Sequence, residues 1–151
     1  MKQVHIECNP DELLVSKLGF TRNLVTHHQG KSRIFQVLSK NKNQLAMVDE
    51  DPHSSKTSYE KALQLVEEVE GIKYFSDQSG NKVIVLKGKL EDWLISVCDR
   101  SKVNMNKFGL PQTPDKLHGE INYKLPYFGK LIDHLIKENN PALLKLKSFL
   151  K

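Results

Sequence analysis

The run Gln44-Leu45-Ala46-Met47-Val48 breaks off in Asp49-Glu50-Asp51 and is closed by Pro52. A short apolar segment of this kind reads as a buried strand, and proline prevents it from continuing as a central one. In a strand, Asp49 and Asp51 share one face while Glu50 points to the other. Two carboxylates side by side at a strand end repel each other unless a cation lies between them. The chain carries a formal net charge of +5. Against that background the local negative spot calls for a counterion, and a divalent metal is the natural one.

The elements around this strand repeat a single pattern. Val4-His5-Ile6-Glu7 reads as a short strand, and Asn9-Pro10-Asp11-Glu12 as a helix start with Asn9 as cap and Glu12 three residues later. Leu14, Val15 and Leu18 give that helix its apolar face and Gly19 ends it. Asn23 to Thr26 reads as a second strand, followed after Gly30 by a helix burying Ile34, Phe35 and Leu38. Behind the Leu45–Val48 strand, Thr57 caps a third predicted helix whose apolar positions run Tyr59, Ala62, Leu63, Val66 and Val69, ending at Gly71. A β-α-β-α-β-α order argues for a parallel sheet with right-handed crossovers. The next two strands, 72–76 and 82–87, are separated by only five residues. A parallel crossover does not fit there, so they are expected to form an antiparallel hairpin.

Leu90 to Asp99 reads as a fourth helix burying Trp93, Leu94 and Val97. Residues 101–125 are expected to be a loop, rich in polar residues and holding Gly109, Pro111 and Pro114. From Pro126 the chain turns helical again, with Phe128, Leu131, Ile132 and Leu135 on one face. Asn139-Asn140-Pro141 breaks that helix before a last one carrying Leu143, Leu144, Leu146, Phe149 and Leu150. The expectation is one domain: an α/β core over residues 1–100, the loop, and a helical extension over residues 126–151 packed on the core.

Composition narrows the partners only slightly. Lys and Arg number 23 against 18 Asp and Glu, a modest excess compatible with nucleic acid. No apolar run is long enough to span a bilayer and the N-terminal residues do not form a signal peptide, which points to a cytoplasmic protein with no membrane association. Cys8 and Cys98 lie in apolar context far apart in sequence, so both are expected to be reduced and partly buried. His27 and His28 fall on opposite faces of an extended segment, so one packs and the other is exposed.

In a parallel sheet, Glu7 closes the first strand at the same edge at which Asp49 and Asp51 close the third. Ligands of open α/β sheets bind beyond those carboxyl ends. If strands one and three are neighbours, the three carboxylates converge. A few hard oxygen ligands with open positions suit Mg²⁺ (or Mn²⁺), with substrate phosphates completing the shell. Lys31, Arg33, Lys87 and Lys89 lie near strand-to-helix turns and would clamp nucleic-acid phosphates or offset transition-state charge.

A glutamate ending strand one, in Glu7-Cys8-Asn9-Pro10-Asp11-Glu12, followed by Asp-x-Asp ending strand three, in Met47-Val48-Asp49-Glu50-Asp51-Pro52, resembles the Toprim family. Within that family the likeness is to small stand-alone or OLD-type nucleases, and it covers about the first two-thirds of the chain. The resemblance implies a Rossmann-like, mostly parallel sheet flanked by helices. It also implies Mg²⁺-dependent cleavage of phosphodiester bonds in DNA or RNA, with Asp49 and Asp51 holding metal and Glu7 bridging it or moving a proton. Glu91, in Leu90-Glu91-Asp92-Trp93-Leu94 after the last strand, stands where OLD-type enzymes carry a further catalytic acid, with Asp92 second. Those relatives join the domain to an ATPase, which makes a separate ATPase partner an expectation by analogy. Cys8 stands where most Toprim domains have glycine. That departure is the ground for an alternative, a non-catalytic Toprim-like module that binds nucleic acid or a protein. A receiver domain also clusters acids at strand ends, but the five-residue link leaves no room for the crossover helix it needs. Gly30-Lys31-Ser32 imitates the end of a phosphate-binding loop, yet Val25 occupies the leading glycine position.

Overall fold

The computed structural model describes residues 2–151. A six-stranded mixed sheet is flanked by helices on both faces. Its strands are β1 (Val4–Ile6), β2 (Val25–His27), β3 (Leu45–Asp49), β4 (Gln64–Val69), β5 (Ile72–Ser76) and β6 (Lys82–Leu86). They lie in the order β2-β1-β3-β6-β5-β4. β2, β1, β3 and β6 are mutually parallel, and β5 pairs antiparallel with both β6 and the edge strand β4. The helices are α1 (Asn9–Lys17), α2 (Lys31–Ser39), α3 (Ser58–Ala62), α4 (Leu90–Arg100), α5 (Pro114–Glu120), α6 (Leu125–Lys137) and α7 (Pro141–Phe149). No helix among the described residues is long and apolar enough to cross a membrane.

Strand alternation divides the core. Leu45, Met47, Ile84 and Leu86 face one way and meet α1, α4, α6 and α7, whereas Ala46, Val48, Val83 and Val85 meet Ile34, Phe35 and Leu38 of α2. The apolar stripes of α6 and α7 are therefore core. α7 also docks on the hairpin, where Phe149 stacks on Tyr74 at 4.3 Å between ring centroids. β5 and β6 form the expected antiparallel hairpin. Cys8 is half-buried and Cys98 buried, and both are free.

Three expectations need correction. The predicted third helix to Val69 stops at Ala62, and Gln64–Val69 is instead an edge strand paired with β5. Leu65 and Val66, read as helix-face residues, are 52% and 57% exposed. The deciding feature is Glu70-Gly71, both at positive φ (55° and 72°), which makes a tight two-residue turn that joins strands but cannot continue a helix. Residues 101–125, expected to be a loop, hold a 3-10 turn at Met105–Phe108, helix α5 and a second 3-10 turn at Ile121–Tyr123. Burial of Met105, Leu110, Leu117 and Ile121 drives that segment into structure. Finally, Cys8 rather than Asn9 occupies the cap of α1: its backbone is extended (φ −142°, ψ 169°) and its carbonyl accepts the Glu12 N–H at 3.1 Å, while Asp11 accepts the Glu7 N–H at 3.4 Å.

At the far edge of the sheet from the carboxylates, the fully buried Asn81 ties three segments together. Its amide donates to Leu38 O at 2.9 Å, Asn41 O at 3.0 Å and Asp77 Oδ2 at 2.8 Å, and its carbonyl accepts the Gln44 N–H at 2.8 Å. Asn81→Ala strands these groups and is expected to cost about 2–3 kcal/mol. A lower urea midpoint with unchanged m-value checks this, and an unchanged midpoint refutes it.

Candidate active site at the carboxyl edge of the sheet

β1 pairs with β2 on one side and β3 on the other, so the residues that follow β1 and β3 emerge together. Glu7, Asp49 and Asp51 line one cleft of about 340 Å³. Its opposite wall is Gln29, Gly30, Lys31 and Ser32 at the start of α2, with Ser54, Ser55 and Thr57 from the loop after β3. Asp51 arrives there by a different route from simple strand alternation. β3 ends at Asp49, and Asp51 lies beyond it with a left-handed φ of 45°. Its N–H donates to Gly88 O at 2.9 Å, and its carbonyl accepts from Ser54 N at 3.0 Å and Ser54 Oγ at 2.9 Å. Glu50 turns away, as expected, to Lys73 at 2.7 Å. That ion pair holds its carboxyl below the usual range.

Asp49 stands between two groups of acids. On the cleft side are Glu7 and Asp51. On the α1 and α4 side are the buried Asp11 and Glu91. Burial first, then the charges of Asp11, Glu7 and Glu91, pushes the Asp49 carboxyl up to about 8, against one opposing hydrogen bond from Leu90 N–H to Oδ1 at 2.9 Å. Burial likewise raises Asp11 to about 6 and raises Glu7, with Lys31 pulling Glu7 back. Cys8, beside Asp11, has its thiol pushed well up by burial and by that neighbouring charge, so it is a neutral, unreactive group at neutral pH. Repulsion is thus built into this edge, and its donors are all hard oxygens.

The cationic side is equally specific. Lys31 lines the cleft with its ammonium fixed by Glu60 Oε2 at 3.0 Å and Glu50 O at 2.9 Å. Lys89 adds an exposed cation at the mouth. Gly30, at φ 108°, caps α2 without a side-chain acceptor, so the first-turn N–H groups open toward the cleft. Arg33 and Lys87 lie outside the lining. Arg33 is exposed, and His28 is held below its ordinary pKa by burial first and then by His5 and Arg33; Lys87 pairs with Glu68 at 2.8 Å. His28 packs on His5 (Nε2 to Nδ1, 2.8 Å) while the exposed His27 pairs with Glu12.

Glu91 also lies outside the cleft lining, on the first turn of α4, with His118 Nδ1 3.1 Å from its Oε1. Asp92 caps α4 by accepting the Lys89 N–H at 2.9 Å. Two members of the constellation escaped the sequence reading. Asp11 looked like an ordinary first-turn acid, although four residues after Glu7 it is close enough to fold back beside it. His118 carried no signal, because it meets Glu91 only through tertiary packing of α5. Among the described residues, no three His, Cys, Asp or Glu side chains are closed into a ready ligand shell. Comparison with protein-family models, with curated proteins and with solved structures finds no match for the chain.

Proposed function

We propose that the protein is a Toprim-like nuclease that cleaves phosphodiester bonds in nucleic acid with the help of Mg²⁺ or Mn²⁺. The observation that carries this reading is the single cleft in which Glu7, Asp49 and Asp51 face the open N-terminus of α2 and Lys31. The donor set fits a hard divalent cation: three carboxylates lie on one cleft, and the crowding that raises Asp49 is relieved by positive charge. Glu7, Asp49 and Asp51 would hold the ion; Asp49 Oδ1 already accepts the Leu90 N–H. A bound divalent ion would supply an activated water and neutralise charge on the leaving oxygen.

The chain's own groups do the rest. The α2 N-terminus and Lys31 receive the scissile phosphate and offset charge that grows in the transition state. Glu7, its carboxyl raised by burial, exchanges a proton with the attacking or leaving oxygen. Lys89 contacts an adjacent phosphate at the mouth. The absence of a closed ligand shell among the described residues favours, as second reading, a binding module without catalysis.

Plasmid nicking in Mg²⁺, Mn²⁺ and chelator separates the two. Metal-dependent cleavage that falls about 100-fold or more in Glu7→Gln and in Asp51→Asn supports the nuclease. Cleavage that survives both substitutions places the chemistry elsewhere. Nucleic-acid binding in chelator without any cleavage favours the binding module.

A further inference from the structure

The cleft is lined by four acids, Glu7, Asp49, Asp51 and Glu60, and by two lysines, Lys31 and Lys89. These charges are paired unevenly. Among the described residues, no ion pair takes Glu7, Asp49 or Asp51. Lys89 is exposed and screened by solvent, but Lys31 is not. Its charge already reaches Glu7, where it pulls back part of the rise that burial causes. Yet its ammonium lies on Glu60 Oε2 at 3.0 Å and on Glu50 O at 2.9 Å. The Lys31 and Glu60 side chains are only 15% and 13% exposed.

The pair is not what fastens α3. The Tyr59 ring packs on Phe35 with centroids 5.5 Å apart, its hydroxyl donates to Asp77 Oδ2 at 2.6 Å, and Leu63 joins the core around α2. Glu60 stands three residues after the cap Thr57, from where a glutamate ordinarily turns back onto the cap N–H. Its carboxylate goes across the cleft lining to Lys31 instead. Removing that carboxylate would leave a largely buried ammonium with a carbonyl acceptor and no countercharge. Lysine has a flexible stem and rotatable N–H donors, so it can turn to an unpaired carboxylate nearby. The unpaired carboxylates on this lining are Glu7, Asp49 and Asp51.

We infer that Glu60 is a positioning residue: it holds the Lys31 ammonium off Glu7, Asp49 and Asp51, so that these carboxylates stay open to a divalent cation. The inference rests on the reading of the cleft as a metal-dependent phosphodiester site. It adds what keeps the chain's own lysine from neutralising that site. An ammonium on Glu7 or Asp51 would compete with the ion for the same oxygens, and would no longer be placed to meet a phosphate. Glu60 thus acts on the cation through Lys31 and not as a ligand.

A crystal structure of Glu60→Gln in chelator, and calorimetric titration of the full chain with Mg²⁺ or Mn²⁺ alone, test this. In the crystal, Lys31 Nζ should come within about 3 Å of a carboxylate oxygen of Glu7, Asp49 or Asp51. An ammonium that stays on Glu50 O, away from all three, overturns the inference. In the titration, Glu60→Gln should weaken metal binding on the order of ten-fold, whereas the same substitution added to Lys31→Met should change it less than about two-fold. The double variant strands no buried charge and should bind metal at least as tightly as wild type, a comparison that does not depend on how well Glu60→Gln alone folds. Equal losses with and without Lys31, as direct ligation by Glu60 or a purely structural role would give, overturn the inference. The cleft reading fails separately. Lys31 on the carboxylates of Glu60→Gln, in a protein that binds no metal in any form, sinks that reading alone. Metal binding with the expected dependence on Lys31, but without cleavage of nucleic acid, sinks the nuclease alone.

Discussion

Asp49→Asn is expected to abolish metal-dependent cleavage while making the metal-free protein more stable above neutral pH. On the proposed reading, in which Asp49 is one of the carboxylates that hold the cation, the loss of activity should be on the order of a thousand-fold or more, since an amide is a poor substitute. The gain in stability follows from the same crowding. In the unfolded chain this carboxyl titrates near ~4, whereas the fold pushes it up to about 8. Between those limits the unfolded chain has released a proton that the folded chain retains. The group therefore imposes no penalty at acid pH, and folding loses stability as pH rises through the window, with the full deficit above about 8. Asparagine keeps the Oδ1 that accepts from Leu90 N–H and has nothing to titrate. The variant should match wild type below about pH 4, pull ahead progressively as pH rises, and exceed it by about 1–3 kcal/mol near pH 8 in chelator. Mg²⁺ should close that gap for wild type and leave the variant unmoved. Urea midpoints across that range decide the matter. Equal stability at every pH would mean that Asp49 is not held in a repulsive cluster, and retained cleavage would remove it from the site.

The acids at the strand ends were legible in the sequence because chain geometry alone places them. A short apolar run stopped by proline reads as a strand, successive parallel strands finish at one edge, and the residues that follow them emerge there. Asp11 was not legible, since a first-turn acid has a sufficient local explanation in helix capping. Its burial beside Glu7 and Asp49 depends on how α1 meets the sheet. Gln64–Val69 misled for another reason: Leu65, Val66 and Val69 satisfy helical spacing as well as strand pairing, and only the turn at Glu70-Gly71 distinguishes them. The α5 helix carried an overlooked signal in Thr113-Pro114, a cap followed by proline in the first helical turn. Arg33 and Lys87 show the limit of placing side chains by proximity to a turn. Both lie near the right loops, yet one faces outward and the other is taken by Glu68.

Trp93→Ala should be the most damaging single change to the fold, costing about 3–5 kcal/mol out of a total stability of roughly 5–15 kcal/mol. Trp93 is 1% exposed, and its indole Nε1 donates to Glu70 O at 3.0 Å. The ring lies directly under the β4–β5 turn, where a Cβ on Gly71 would come within 3.0 Å of Cδ1. Arg100 of the same helix reaches Glu70 Oε2 at 2.8 Å, so α4 clamps the hairpin from both ends of one helical face. Trp93→Phe keeps most of the apolar volume and loses only the N–H, leaving Glu70 O to find water at the surface. It should cost about 1–2 kcal/mol. The gap between the two variants measures packing apart from hydrogen bonding. Because Trp93 is the single tryptophan, unfolding has to be followed by far-UV circular dichroism rather than by intrinsic fluorescence. The same helix begins with the Leu90 N–H that holds Asp49. Loosening α4 should therefore raise the metal concentration needed for half-maximal cleavage in Trp93→Phe before it affects the rate at saturating metal. An unchanged metal requirement together with the expected loss of stability would show that Asp49 is positioned by β3 alone.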